Sequence, residues 1–136
     1  ARAQHLREVI EPALAAGRWV VCDRFTDASF AYQGGGRQLD VTAIRFLEQW
    51  VQQGLKPDLT LLLDAPIATG LARASRRGPS DRFEAEDLAF FERVRQAYLS
   101  RAELEPQRIR RVDASQALEH VQVEIAGHLD TLIQGA

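Results

Sequence analysis

Val20-Val21-Cys22-Asp23-Arg24-Phe25, followed by TDASFAYQGGGR over residues 26–37, is the stretch whose reading decides the fold. An apolar run that begins at Trp19 stops at an acid and an arginine, then opens into a polar, glycine-bearing segment. Buried parallel strands read as continuous apolar runs, and open α/β sheets bind their ligands beyond the carboxyl ends of the strands. The pattern predicts a short strand over Trp19–Cys22 that delivers Asp23 and Arg24 to such a rim. An arginine in that place forks onto phosphate oxygens. The aspartate beside it either holds a magnesium shell or orients the arginine. The residues that follow read as a loop. Gly34, Gly35 and Gly36 do not fit the phosphate-cradling spacing GxxxxGK followed by Ser or Thr, so they predict a tight turn.

Working outward, Leu6, Val9, Ile10, Ala13 and Leu14 recur at helical spacing from Arg2 to Ala16, with Gly17 as the stop and Pro12 as a bend or restart. Asp40 is placed to cap a helix over Val41–Gln53. Leu59–Leu63 is an apolar strand ending in Asp64, and Pro66 suits the first turn of a helix reaching about Arg76. A long helix is expected over Glu84–Leu104, with Leu88, Phe91, Val94 and Tyr98 on one face. A weaker strand, Arg108–Val112, ends at Asp113. Ser115 then caps a helix over Gln116–Ile133. All three strands end in aspartate; Asp64 and Asp113 read as acids that open turns. The order predicts one α/β layered domain around a mostly parallel sheet.

The chain has 136 residues, 46% hydrophobic and 26% charged, with a formal net charge of −2. That is enough for one domain with its own core. The sequence pI of about 5.9 leaves no global basic field for nucleic acid or an anionic membrane, so an anion must be held by local arginines. No apolar run approaches the roughly 20 residues that span a bilayer. Cys22 is the one cysteine, which fits a reducing cytoplasm. His5, His120 and His128 show no metal-ligand spacing. There is no methionine, even at position 1, and the chain opens in a helical pattern, so further residues are expected ahead of Ala1.

The strand end CDRF, the SFAYQGGGR segment, PDLTLLLD, GLARASRRG with DRFE, and VDASQ occur here in an order that resembles the thymidylate (dTMP) kinases of bacterial type over nearly the whole chain. The resemblance implies a P-loop kinase-like parallel sheet flanked by helices. Residues 1–136 would be the C-terminal two-thirds of a single nucleoside monophosphate kinase-like domain, with a lid over about 73–83. It implies ATP as phosphoryl donor with Mg2+, dTMP as acceptor, and dTDP and ADP as products. Arg24 would hold the acceptor 5′-phosphate near the phosphoryl in flight, where positioning and charge stabilisation supply most of the catalysis. Asp23 would organise magnesium-bound water or Arg24 itself. Ser29 and Gln33 would lie near the thymine edge, Tyr32 beside the sugar, and Arg2 against a thymine carbonyl. Arg73 would stack on adenine and Arg76 and Arg77 would supply the lid arginine, with Arg82 also in the lid over ATP. Ala114, Ser115 and Gln116 would meet adenine through the backbone. Phe25 stands where the family has tyrosine or histidine and takes no polar role; Arg37 is either near a phosphate or exposed. A homodimer formed through helix packing is implied, with Phe46 and Trp50 as candidates for its surface.

The largest departure is the P-loop, which this sequence lacks and the family carries on its first strand. With the family's strand order 2-3-1-4-5, the strands here would be the third, fourth and fifth. The first two are absent from this chain, and the first of them belongs between Trp19–Cys22 and Leu59–Leu63. Such a chain is expected to be inactive alone and not to fold stably alone. The rival readings are another deoxynucleoside or nucleotide kinase of the same fold, and a non-catalytic nucleotide-binding module. A nucleic-acid binder using the lid arginines is disfavoured by the acidic balance.

Overall fold

The computed structural model describes residues 2–76 and 85–135. Arg77 and Arg82 lie outside the described residues, as does Glu84.

The N-terminal periodicity becomes one continuous helical rod: α1 (Arg2–His5), a π-wound stretch Leu6–Ile10, and α2 (Glu11–Ala15). Pro12, read as a bend or a restart, stands in the first turn of α2, where the winding passes from π to α. The Glu11 N–H reaches back to the Leu6 carbonyl, and this wider turn makes room ahead of a ring that otherwise crowds the preceding carbonyl. The rod closes at Gly17, whose φ of 73° suits a residue without a Cβ, as the Arg18 N–H donates to the Ala13 carbonyl at 2.9 Å.

The expected strand Trp19–Cys22 is not formed. Val21 is 96% exposed, and residues 19–22 pair with no strand among the described residues. Parallel strands persist by pairing their backbone groups, and no neighbour is within reach of this one.

The expected loop after Phe25 is also corrected. Residues 26–36 are helical, as α3 (Thr26–Ser29) running into a π-wound Phe30–Gly36. The glycines make no tight turn. A Cβ on Gly35 would stand 2.5 Å from Ala97 Cβ, and one on Gly36 would stand 2.6 Å from Phe90 Cε2 and 2.7 Å from Val94 Cγ2. Their missing side chains let this segment lie against α6 (Ala85–Leu104) at backbone distance. Arg93 fastens the contact by donating Nε and Nη2 to the Gly36 carbonyl at 3.1 and 2.9 Å.

The other elements fall close to their predicted bounds. In α4 (Val41–Gln52), Asp40 caps the first turn by accepting from the Thr42 N–H at 2.9 Å. β1 (Thr60–Asp64) is followed by Pro66 in the capping place of α5 (Ile67–Ser75). β2 (Ile109–Asp113) pairs parallel with β1, from Thr60 opposite Ile109 to Asp64 opposite Asp113. α7 (Leu118–Gly135) begins beyond Ser115, which does not cap it. The Ser115 N–H and hydroxyl instead donate to Asp113 Oδ1, tightening the turn after β2.

Leu6, Phe30, Ala31, Val94, Ile109 and Val112 form the buried core, where the π-wound glycine segment, α6 and β2 meet. A cavity of about 840 Å³ separates residues 19–25 from residues 55–65. Its lining includes Leu61, Leu63, Phe91, Val94, Ile125 and Leu129. Packed interiors hold few voids larger than a water molecule, so this trench is no ordinary packing defect.

An ionic bolt ties α3 to the sheet. Asp27 accepts from Arg101 and Arg108. Arg108 also donates to Glu105 Oε2 at 2.7 Å and to Thr60 Oγ1 at 3.1 Å, and Lys56 reaches Glu105 at 3.2 Å. The hydrogen bond from Arg108 dominates at Glu105 and holds its carboxyl down at about 2, against the opposing effect of burial.

Two outcomes follow from these contacts. In the full-length protein, Gly35→Ala is expected to cost about 1–3 kcal/mol by overpacking, seen as a lower urea midpoint, with Ala97→Gly added to it recovering much of the loss. An unchanged midpoint would remove the close approach. Glu105 has a depressed carboxyl, so its contribution to stability is fully present above its ordinary 4.5 and is lost as pH falls through about 2. Urea midpoints of the full-length protein over that window should fall less steeply for Glu105→Gln than for the parent.

Candidate nucleotide site

The segment that carries the charge at residues 23–24 is under backbone constraint. Arg24 has a φ of 64°, a left-handed conformation that is uncommon outside glycine and persists where the surroundings impose it. In that conformation its guanidinium carbon stands 5.0 Å from the centre of the Tyr32 ring, a cation–π distance. Tyr32 is in turn held by aromatic neighbours from α6. The Tyr98 ring meets it edge-on at 6.2 Å and the Phe90 ring lies tilted at 6.3 Å. Burial pushes the Tyr98 hydroxyl up to about 12, helped by the neighbouring Tyr32, so Tyr98 stays protonated at neutral pH.

Arg2 comes to the same place from the far end of the chain. Its Nη1 donates to Ser29 Oγ at 2.6 Å, and its guanidinium carbon lies 5.7 Å from the Phe25 ring centre. Of the residues predicted for an acceptor pocket, the fold therefore joins Arg2 to Ser29 and Arg24 to Tyr32, with Gln33 next in the chain and half-buried. Asp23 is exposed and lines the trench together with Arg24 and Tyr32. Phe25 serves as an apolar surface for Arg2, in keeping with its lack of a polar role.

The residues predicted for a donor nucleotide form a second group. Arg73, on the last turn of α5, donates Nη1 to the Ala114 carbonyl at 2.6 Å, which joins it to the loop that follows β2. Gln116 donates to Glu124 Oε2 of α7 at 2.7 Å and the Ser115 N–H donates to Asp113 Oδ1 at 2.9 Å, which tie residues 113–116 to α7 and to the end of β2. Arg76 is exposed at the end of α5.

Asp64, read from sequence as a turn-opening acid, is buried and ion-paired. Arg95 donates Nε to Oδ1 at 2.8 Å and Nη2 to Oδ2 at 3.2 Å, and Arg111 donates Nε to Oδ2 at 2.8 Å. The hydrogen bond from Arg95 leads in holding its carboxyl below the usual range, with Arg111 adding to it against burial. These cations let Asp64 stand abreast of Asp113 in the ladder, where like charges otherwise repel. Asp113 is itself held low by its hydrogen bonds from Ser115. Among the described residues no group of three metal-type side chains is gathered. A magnesium ion bound mainly through water and phosphate oxygens takes one or two carboxylates from a protein, and Asp23 is an exposed carboxylate on the trench.

Sequence reasoning passed over Phe90, Arg93, Arg95, Arg101 and Asp27, which support the site from α6 and α3. Their signal was faint. The arginines of α6 alternate with its apolar positions and read as a solvated face, and nothing in TDAS marks Asp27 as buried.

No helix among the described residues is long and apolar enough to cross a membrane. The sequence model of the family described as thymidylate kinase matches residues 1–125. A thymidylate kinase of Methylococcus capsulatus is 61% identical over 135 residues, covering 99% of this chain and 65% of that protein. One from Pseudomonas putida is 60% identical over 134 residues, covering 98% and 64% respectively. One from Alcanivorax borkumensis is 58% identical over 126 residues, covering 93% and 61%. The chain thus spans somewhat less than two-thirds of the length of these curated relatives. With its motifs matched in order and identity of this level sustained along it, the chain belongs to the thymidylate kinase family.

Proposed function

We propose that the protein carrying this chain is an ATP:dTMP phosphotransferase that makes dTDP and ADP with magnesium in the cytoplasm. The observation that carries the reading is the acceptor-side cluster: Arg2 bonded to Ser29, with Arg24 poised over Tyr32, in a chain of this family. Arg24 grips the 5′-phosphate of dTMP and keeps the attacking oxygen in line, where its fixed charge offsets the charge that builds in transfer. Ser29, Gln33 and Arg2 meet the polar edge of thymine, and Tyr32 closes against the sugar. A base with the wrong edge leaves these polar groups unpaired, which costs far more than a lost apolar contact. Arg73 and the Ala114–Gln116 backbone take the adenine, and the donor phosphates are assigned to Arg76 and, by the family resemblance, to Arg77 and Arg82, within a lid of about 73–83. Asp23 would hold magnesium-bound water or orient Arg24, and a bound magnesium ion would offset the charge of the phosphate oxygens.

The trench belongs to the same reading. It lies between residues 19–25 and the edge of β1 that does not face β2. It suits a parallel strand from an upstream segment that brings the P-loop, against which Trp19–Cys22 would then pair. This makes residues 1–136 the C-terminal two-thirds of one nucleoside monophosphate kinase-like domain. Phe46 and Trp50, 65% and 70% exposed on α4, are proposed as the homodimer surface. No role with nucleic acid or membranes is assigned.

The test is phosphate transfer by the full-length protein with dTMP and thymidine offered side by side. Transfer to dTMP in strong preference is expected; transfer to thymidine alone would reject the reading. Arg24→Ala should lower turnover by about a hundredfold or more with the fold intact, and a near-normal rate would take Arg24 away from the phosphoryl group. Gln33→Ala should raise the KM for dTMP and leave that for ATP nearly unchanged. Equal rises for both would argue against a base contact.

A further inference from the structure

We propose that Asp27, clamped between Arg101 and Arg108, is a positioning residue that orients the Arg24–Gln33 segment toward the acceptor nucleotide. This inference rests on the dTMP kinase reading. Asp27 lies three residues after Arg24 and two before Ser29, so it sits inside the segment that bears the acceptor cluster. Its carboxylate is buried and takes hydrogen bonds along four directions. Arg101 donates Nε and Nη2 to Oδ1 at 3.1 and 2.9 Å, and Arg108 donates Nη1 to Oδ2 at 2.8 Å and Nη2 to Oδ1 at 2.9 Å. Burial works against the charge, but the bonds from the two arginines outweigh it, and the carboxyl stays below its ordinary value.

The arginines come from different parts of the fold. Arg101 belongs to the last turn of α6, and its guanidinium also lies 4.1 Å from the Phe30 ring centre, three residues on from Asp27. Arg108 stands directly before β2 and reaches Thr60 at the start of β1. Gln52 of α4 donates to Thr26 beside Asp27, a further tie on the same turn. One carboxylate thus refers the site-bearing helix to α6 and to both strands.

Stability alone does not account for such a device. Replacing a buried ion pair by apolar groups of similar volume is often neutral or stabilising, whereas directional bonds fix one geometry. A fixed geometry is what this segment needs. Arg24 is held left-handed, and a conformation of that kind persists only where the surrounding structure determines it from both sides. Asp27 supplies the constraint on the C-terminal side, and the Tyr32 ring receives the guanidinium.

The experiment uses the full-length protein and compares it with Asp27→Leu/Arg101→Met/Arg108→Met, which replaces the directional bonds by apolar packing. The expected result is a folded triple variant whose urea midpoint falls no further than loss of the Arg108–Glu105 bond accounts for, with the KM for ATP unchanged. Its kcat/KM for dTMP should fall roughly tenfold to a hundredfold, the scale of a small misplacement of reacting groups. A folded triple variant with parental dTMP kinetics would overturn the inference. Should the triple variant not fold, Arg101→Lys and Arg108→Lys keep the charge and lose the fork. Both should show a raised dTMP KM at parental ATP KM, and unchanged dTMP kinetics in both would overturn it equally. A parent protein that does not phosphorylate dTMP would reject the functional reading itself, and this inference with it. A parent that does so, alongside variants of parental dTMP kinetics, rejects the inference alone.

Discussion

The contact between the π-wound glycine segment and α6 is the constraint on which the rest of the site depends. Two adjacent glycines let one helix approach another so closely that a methyl group on either would overlap its neighbour. The approach brings the chain between Arg24 and Gly36 beneath Phe90 and Tyr98, which hold Tyr32, which in turn receives Arg24. Arg93 binds the last carbonyl of the segment and so resists its unwinding toward Arg37. Helix packing, aromatic contacts and the placement of the Arg24 guanidinium are linked in one column. Polar chemistry reaches the rim of the domain because apolar packing beneath it leaves no other arrangement for those residues.

Much of this was legible from the residues. Both strands that form end in aspartate, β1 as an apolar run and β2 as a weaker pattern interrupted by Arg110 and Arg111, and each lies within a residue of its expected bounds. Asp40 caps α4 as its position suggested, and the Arg2–Ser29 and Arg73–Ala114 meetings unite residues that the family resemblance assigned to common sites. The misreadings have separate physical causes. The Trp19–Cys22 run has the composition of a buried strand, but composition cannot supply a pairing partner. The glycine run was taken for a turn because glycine breaks isolated helices, and tertiary contact reverses that preference when the neighbouring helix needs the space. Asp64 read as a turn-opening acid and Asp27 drew no reading, because the arginines that neutralise them lie far along the chain, where no local pattern reveals them.

The charge distribution follows the same logic. A chain of net charge −2 concentrates its buried arginine contacts on Asp27 and Asp64, acids at the base of the acceptor segment and at the end of β1. Arg24 and Arg76 are exposed, with Arg24 at the trench mouth. Arginines paired with buried acids hold the frame, while Arg24 and Arg76 form no ion pair with an acid among the described residues.

The central claim is that Arg24 is aimed at a nucleotide monophosphate by the column beneath it. It is tested most directly by a crystal structure of the full-length protein with dTMP bound. The account requires the Arg24 guanidinium within hydrogen-bonding distance of the 5′-phosphate, with Tyr32 still beneath it and the thymine edge facing Ser29 and Gln33. A bound dTMP whose phosphate is held elsewhere, with Arg24 turned to solvent, would contradict it.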